Sequence, residues 1–166
     1  KNPQPVATMV LLPLIRERTE VPIIAAGGIC DGATMAAAFA MGAEGVQLGT
    51  AMLSCTDSPV HPNWKNAIYQ GKETDTVFLN QQGRPALRAM RTERTGELEL
   101  LGQFQPFEHM ANILDLYFGG DLEAAIPLTG QVMGRIHEAR SAADIVTSTM
   151  TGFYQSLSRL DASYGQ

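Results

Sequence analysis

Two pairs of residues, Gly27-Gly28 and Gly49-Thr50, are the positions at which this sequence is best placed to do chemistry. Each pair directly follows a short apolar run, so each is expected where a strand ends. Glycine has no side chain, and backbone N–H groups there can approach a ligand closely while a positive φ costs little. Such N–H groups, together with nearby helix N-termini, are suited to binding phosphate. The sequence therefore predicts a site for the phosphate of a cofactor or substrate at these two loops.

The elements that position the glycines form one β/α unit. Ile23–Ala26 has no polar residue, which predicts a strand that is buried on both faces, as in parallel sheets. Asp31 suits the N-cap of a helix over Gly32–Met41, Gly42 suits its C′ position, and Glu44–Leu48 is the next strand. Both glycine loops then lie at the carboxyl ends of parallel strands. In β/α barrels a phosphate commonly sits between the loops after strands seven and eight.

Size and composition set the limits of the fold. The chain has 166 residues, is 45% hydrophobic and carries a net charge of -5, which argues against a general nucleic-acid binder. No apolar run is long enough for a membrane helix, and Cys30 and Cys55 match no metal or redox spacing, so a cytoplasmic setting is expected. A TIM (β/α)8 barrel needs about 250 residues. We therefore expect an α/β chain that is the C-terminal portion of a TIM barrel.

The remaining elements divide the chain into the last β/α units over residues 1–80 and a mainly helical segment over 81–166. A helix is predicted over Val6–Arg18 and a strand over Glu73–Leu79, whereas Thr95–Gln105 looks irregular. From Pro106 onward the chain is predicted to be mostly helical. Apolar residues at helical spacing predict buried stripes in this part: first Phe107, Ala111, Leu114 and Phe118, then Ile145, Thr149, Phe153, Leu157 and Leu160 in a last helix that opens at Ser141.

Charged and imidazole side chains give weaker signals. Four arginines, at 84, 88, 91 and 94, share a face if their segment is helical. They form either a solvated basic face or a landing patch for an acidic partner or a phosphate-bearing substrate. The chain's histidines, His61, His109 and His137, belong to no Ser-His-Asp or Cys-His set. For His61, capping of a short helix is favoured over a role as a ligand or acid/base, and no spacing suggests a metal site.

The motifs are more specific when they are taken together. They are Val21-Pro-Ile-Ile-Ala-Ala-Gly-Gly-Ile-x-Asp-Gly32, Gly42-Ala-Glu-Gly-Val-Gln-Leu-Gly-Thr50, His61-Pro-Asn-Trp-Lys65, Glu73-Thr-Asp-Thr76 and Gly130-Gln131. This set resembles the nitronate monooxygenase (2-nitropropane dioxygenase) family and its close relative, the flavin-dependent enoyl-acyl-carrier-protein reductase. The resemblance runs from about residue 6 to about residue 147. The last two motifs are those that favour the nitronate family.

The resemblance implies an FMN-binding TIM barrel that oxidises alkyl nitronates with O2. It implies that backbone N–H groups and the Thr50 hydroxyl hold the FMN phosphate, at Ala26, Gly27, Gly28, Gln47, Leu48, Gly49 and Thr50. It places Gly130 and Gln131 near the substrate side of the flavin. The family's catalytic histidine lies in a Gly-His motif that no histidine of this chain matches. The chain alone is therefore expected to lack that residue and to need a missing N-terminal part of the barrel.

Three functions follow as hypotheses. The first is a nitronate monooxygenase, and the second is an FMN-dependent enoyl-acyl-carrier-protein reductase, for which the arginine cluster would suit an acidic carrier protein. The third is a non-catalytic half-barrel that associates with another chain, since an exposed strand edge is costly unless it is covered. The expected partners are a small-molecule substrate and O2, with a homo-oligomer allowed, and neither nucleic acid nor a membrane.

Overall fold

The computed structural model describes residues 6–165, in which helices and strands alternate and then give way to a second small sheet and a long final helix. In chain order the elements are α1 Thr8–Arg16, β1 Ile24–Ala26, α2 Gly32–Ala40, β2 Gly45–Gln47, α3 Thr50–Leu53, α4 Pro62–Gln70, β3 Thr76–Leu79, β4 Leu87–Met90, α5 Glu93–Leu101 and α6 Ala142–Tyr164. Short 3-10 turns cover Pro106–Met110 and Gln131–Arg135, and a π-helical turn covers Asp115–Gly119. No helix of the described residues is long and apolar enough to span a bilayer.

The predicted β/α unit is confirmed. β1 and β2 pair in parallel, with Ile24 opposite Gly45 and Ala26 opposite Gln47. The Asp31 side chain accepts the Thr34 N–H at 2.8 Å, which caps α2 as the sequence predicted. Capping removes one unpaired donor from the first turn and fixes where the helix starts. The unit therefore brings the ends of both strands to one edge of the sheet.

Burial of β1 on both faces is wrong for the described residues. Ala25 is buried, but Ile24 is 69% exposed and Ala26 is exposed as well. Within residues 6–165 β1 pairs only with β2, so its other edge carries no neighbouring strand. Helix α1 is equally uncovered: its buried residue is Leu12, whereas four other apolar residues are exposed, namely Val10, Leu11, Leu14 and Ile15.

Helix α6 packs against α2 through very close backbone contact. A Cβ built on Gly32 would lie 2.1 Å from the Phe153 backbone nitrogen, so only glycine allows this approach. The Phe39 and Phe153 rings meet edge to face at 5.2 Å. Ser141 caps α6 as predicted, accepting the Asp144 N–H at 3.0 Å. The first half of the predicted stripe is buried, but its second half, Leu157 and Leu160, is exposed.

The middle of the chain differs most from the sequence prediction. The predicted strand begins at Thr76 and pairs antiparallel with β4. The segment of the four arginines is therefore not one helix, which was the condition for their sharing a face. The predicted domain boundary at residue 80 falls inside this hairpin. The expectation that residues 95–105 are irregular is also wrong, because α5 covers most of them and begins with a capping box between Thr92 and Thr95.

The predicted apolar stripe after Pro106 is wrong as well. Phe107 is 82% exposed, Leu114 is 67% exposed and Phe118 is 56% exposed. This segment consists of 3-10 and π-helical turns, so a spacing of 3.6 residues does not define one face. The core of this region is built instead around Trp64 and Leu116, both fully buried.

Candidate functional site

The two glycine loops lie side by side. The last paired residues of β1 and β2 are Ala26 and Gln47, so the residues that follow each strand leave the sheet at the same level. A hollow of about 180 Å3 opens at this point. We call it the loop hollow, and it is lined by Ala26, Gly27, Gly28, Ile29, Gln47, Gly49, Thr50, Gly130 and Val132.

The backbone of the first loop explains why glycine is needed there. Gly27 has a φ of 89° and Gly28 has a φ of 82°, and residues with a Cβ are strained in this region. Gly49 has an ordinary φ of -92°, so its own conformation does not call for glycine. A Cβ built on Gly28 or Gly49 would meet no atom within 4 Å and would point into open space. The absence of side chains thus leaves room that a ligand can fill.

The donors of the loop hollow are backbone N–H groups. Within residues 6–165, no protein acceptor takes the N–H groups of Gly28, Gly49 and Thr50, which follow the two strands. Thr50 is buried, and its Oγ1 accepts the Gly130 N–H at 2.9 Å. Because that bond uses a lone pair of the oxygen, the Thr50 hydroxyl hydrogen stays available to an acceptor. The hollow is therefore lined by hydrogen-bond donors that have no protein acceptor, and phosphate oxygens are suitable acceptors for such donors.

A third loop closes the hollow. Gly130 comes 80 residues after Thr50 in sequence, yet its amide bonds to the Thr50 side chain. A Cβ on Gly130 would lie 3.2 Å from that oxygen, a tight contact that glycine avoids. Further along this loop, Arg135 forms an ion pair with Asp31 at the start of α2. These contacts hold the Gly130 loop against both glycine loops.

At the start of α2, the N–H group of the third helical residue already has an acceptor. Its Thr34 N–H is taken by Asp31, and the N–H groups of Cys30 and Asp31 both donate to Thr34 Oγ1. Burial opposes ionisation of Asp31, but the hydrogen bonds from Thr34 and the charge of Arg135 outweigh it and lower the pKa of the carboxyl group. The Asp31 carboxylate thus occupies the helix start, and the loop amides remain as donors.

The cysteine beside the site is a protonated thiol. Burial raises the pKa of Cys30, and the nearby Arg135 charge offsets this effect only in part. Cys30 and Cys55 line a separate cavity of about 90 Å3 behind the loops. Both are free thiols. A thiol with a raised pKa is a poor nucleophile and metal ligand.

Most of the predicted cofactor-binding residues come together in the loop hollow. The exception is Leu48, which lies between Gln47 and Gly49 but packs into the core beside Ala25 and Ala51. Gly130 lines the hollow, whereas Gln131 is exposed and does not line it. The sequence analysis missed Ile29 and Val132, although each lies within two residues of a predicted glycine.

The histidines lie outside the loop hollow. His61 caps α4, its Nδ1 accepting the Asn63 N–H at 3.1 Å, which supports the capping role favoured by the sequence. The His109 ring packs edge to face on Phe104 at 5.2 Å. His137 is exposed and lines the cavity behind the loops. Among residues 6–165 there is also no group of His, Cys, Asp and Glu side chains that could hold a metal ion.

The predicted arginine patch is not a shared helical face. Arg88 lies on β4, where it donates to Thr76 and stacks over a phenylalanine ring. Arg91 pairs with Glu99 at 3.0 Å. Arg94 lies on α5 and donates to the Glu123 backbone oxygen at 3.0 Å. These side chains are held by neighbouring groups, and they give no observation in favour of an acidic partner.

A family model described as nitronate monooxygenase matches residues 1–152. A probable nitronate monooxygenase from Staphylococcus saprophyticus is 46% identical over 82 residues, which cover 49% of this chain and 23% of that protein. One from Staphylococcus aureus is 49% identical over 79 residues, which cover 47% of this chain and 22% of that protein.

Solved structures of enzymes show the same fold as this chain. FabK from Thermotoga maritima is 31% identical with a TM-score of 0.87, and the match covers 98% of this chain and 53% of that one. A nitroalkane oxidase from Streptomyces ansochromogenes is 22% identical with a TM-score of 0.79, covering 93% of this chain and 46% of that one, and it shows similarity of fold alone. The mixed α/β class is confirmed, since these neighbours are TIM-barrel enzymes, and the partial barrel stays a prediction. The chain spans about half the length of these structures. Since the family model matches more than half of its residues, this chain belongs to the nitronate monooxygenase family.

Proposed function

We propose that this chain supplies the FMN phosphate site of a flavin-dependent oxidoreductase of the nitronate monooxygenase type. One observation carries the proposal: two side-chain-free strand ends, in parallel register, surround a hollow with N–H groups that no protein acceptor takes within residues 6–165. Family membership supports the same cofactor and the same class of reaction.

The residues present fit a phosphate group. Within the described chain the loop hollow is lined by no charged side chain, so its binding energy would come from amides and the Thr50 hydroxyl. Hydrogen bonds from neutral donors to an ionised phosphate are about twice as strong as those between neutral groups. When bound, FMN supplies the redox chemistry, accepting electrons from a nitronate carbanion and passing them to O2. This chain's own residues would anchor the phosphate end and set the position of the ring.

The catalytic base is expected to come from outside this chain. None of its histidines lines the loop hollow, and none has the Gly-His context of the family's catalytic residue. The uncovered side of β1 and the exposed apolar residues of α1, among them Met9 at 72% exposure, form a surface that further β/α units of a barrel would bury. We therefore propose that the missing N-terminal part of the barrel is the partner of this surface and carries the base.

The phosphate site is tested by titrating the chain with FMN and with riboflavin, which lacks the phosphate. The proposal expects FMN to bind at least about tenfold more tightly, as one charge-assisted hydrogen bond or more would be lost with riboflavin. Equal affinities would refute the phosphate site.

The need for a partner is tested separately with a chimera. The N-terminal half of Thermotoga FabK, joined to this chain, is compared with this chain alone for O2 uptake with an alkyl nitronate. The chimera is expected to turn over the nitronate, and this chain by itself is not. A chain of 166 residues that held stoichiometric FMN and turned over nitronate by itself would refute the partner.

A flavin-dependent enoyl-acyl-carrier-protein reductase is the second candidate. Its support is the similarity to FabK, at 31% identity over 98% of this chain. The arginines expected to receive a carrier protein are instead held by neighbouring groups, which weakens this candidate. NAD(P)H oxidation by the chimera, with and without nitronate, separates the two functions. A third outcome would favour the non-catalytic half-barrel. In that outcome the chimera neither takes up O2 with nitronate nor oxidises NAD(P)H, and the chain sediments as a folded oligomer in the ultracentrifuge.

A further inference from the structure

The Gly130 wall of the loop hollow is held by a segment that reaches it from the second sheet. Residues 127–129 run beside β4, where the Met90 N–H donates to the Pro127 carbonyl at 2.9 Å and the Thr129 N–H donates to the Arg88 carbonyl at 3.3 Å. The next residue, Gly130, already contacts Thr50. The position of Gly130 is therefore set by what fixes Thr129.

A buried tryptophan fixes the Thr129 side chain. Trp64 is fully buried on α4, and its Nε1–H donates to Thr129 Oγ1 at 3.2 Å. The Thr129 hydroxyl in turn donates to the Pro127 carbonyl at 3.1 Å. The Trp64 ring is held edge to face against Tyr117 at 5.1 Å. A buried indole N–H is costly to leave unpaired, so this bond constrains the threonine rotamer and the backbone that leads to Gly130.

We propose that Trp64 and Thr129 are positioning residues for the loop hollow. They hold the Gly130 N–H on Thr50 Oγ1, and this bond turns the Thr50 hydroxyl hydrogen away from Gly130 and toward the phosphate of the bound ligand. The inference rests on the proposed FMN phosphate site. It gives a positioning role to the tryptophan of the His61-Pro-Asn-Trp-Lys65 motif.

Side-chain substitutions test the proposal through FMN affinity. W64F removes the indole N–H and T129V removes the hydroxyl, and each is expected to weaken FMN binding by about three- to tenfold while riboflavin binding stays unchanged. T129S keeps the hydroxyl and is expected to bind FMN as the wild type does. W64F breaks the bond between Trp64 and Thr129, and T129V breaks that bond as well as the bond from Thr129 to Pro127, so the double variant should bind FMN no more weakly than T129V alone. Equal losses for FMN and riboflavin, or failure of T129S to restore affinity, would overturn the proposal.

A second measurement needs no flavin. Hydrogen exchange at the Gly130 amide, followed by NMR in the ligand-free chain, is expected to be faster in W64F and T129V than in the wild type. The matched control is I68V, at an equally buried position of α4 that takes no part in these bonds, and it should leave Gly130 exchange unchanged. Unchanged Gly130 exchange in W64F and T129V would overturn the positioning role. If the wild type fails to bind FMN, the proposed function fails, and the exchange measurement still decides the role of Trp64.

Discussion

Substitution of Gly49 by alanine separates binding from stability at the loop hollow. The backbone at Gly49 has φ -92° and ψ -76°, at the edge of the right-handed α region that alanine adopts, and its Cβ would meet no atom within 4 Å. Gly49 is the N-cap of α3. Alanine is a poorer N-cap than glycine by about 0.5–1 kcal/mol, but it reduces the entropy of the unfolded chain, which stabilises by about 0.4–1 kcal/mol. The two effects oppose each other, so the free energy of unfolding should change by less than about 0.5 kcal/mol.

Ligand affinity should respond much more strongly. The added methyl group enters a hollow of about 180 Å3 and takes space next to the amides that would bind phosphate. Loss of one hydrogen bond to a charged group costs about 1.5–3 kcal/mol, which corresponds to about 10- to 100-fold weaker FMN binding. Riboflavin binding should change little. Fluorescence titration with both flavins measures the affinities, and urea denaturation measures the stability.

The control is G96A, since a Cβ on Gly96 in α5 also meets no atom within 4 Å. Alanine inside a helix should raise the free energy of unfolding by about 0.5–1 kcal/mol and leave both flavin affinities unchanged. If G49A binds FMN as tightly as the wild type, the hollow between the glycine loops is not the phosphate site.

Other predictions concern the elements around the site. The lowered pKa of Asp31 means that its carboxylate stabilises the fold above the ordinary Asp pKa of about 3.9 and that this contribution disappears as the pH falls through the lower folded pKa. D31N, which keeps the N-cap, should therefore be less stable than the wild type at neutral pH and equally stable in strong acid. A pH-independent difference in urea melts would contradict this. G32A should lower the free energy of unfolding by about 3 kcal/mol, because its Cβ would lie 2.1 Å from the Phe153 nitrogen. G152A faces the same interface at 3.4 Å and should cost less, so equal costs would argue against the close approach. The raised pKa of Cys30 predicts slow alkylation at neutral pH that becomes fast on unfolding, as mass spectrometry can measure, and fast alkylation of the folded chain would disagree.

The sequence by itself determined the local β/α unit. Asp31 caps α2 through a residue three positions away, Gly42 takes a φ of 98° directly after the helix, and Gly27 and Gly28 take positive φ where β1 ends. Each of these features depends on backbone sterics and hydrogen bonds between near neighbours, so residue type and spacing were enough to predict it. The same holds for the caps of α4 and α6.

The tertiary structure decided which distant parts meet. No local pattern indicated that Gly130 would bond to Thr50 across 80 residues, or that Trp64 would donate to Thr129 across 65. The spacing of the arginines left open whether their segment is helical, and pairing with β3 makes Leu87–Met90 a strand. Ile24 shows the same limit, since its burial depends on a neighbour that the described chain does not supply. Long-range pairing and burial are properties of the whole assembly of elements, because local propensity is weak compared with the packing energy that selects among them.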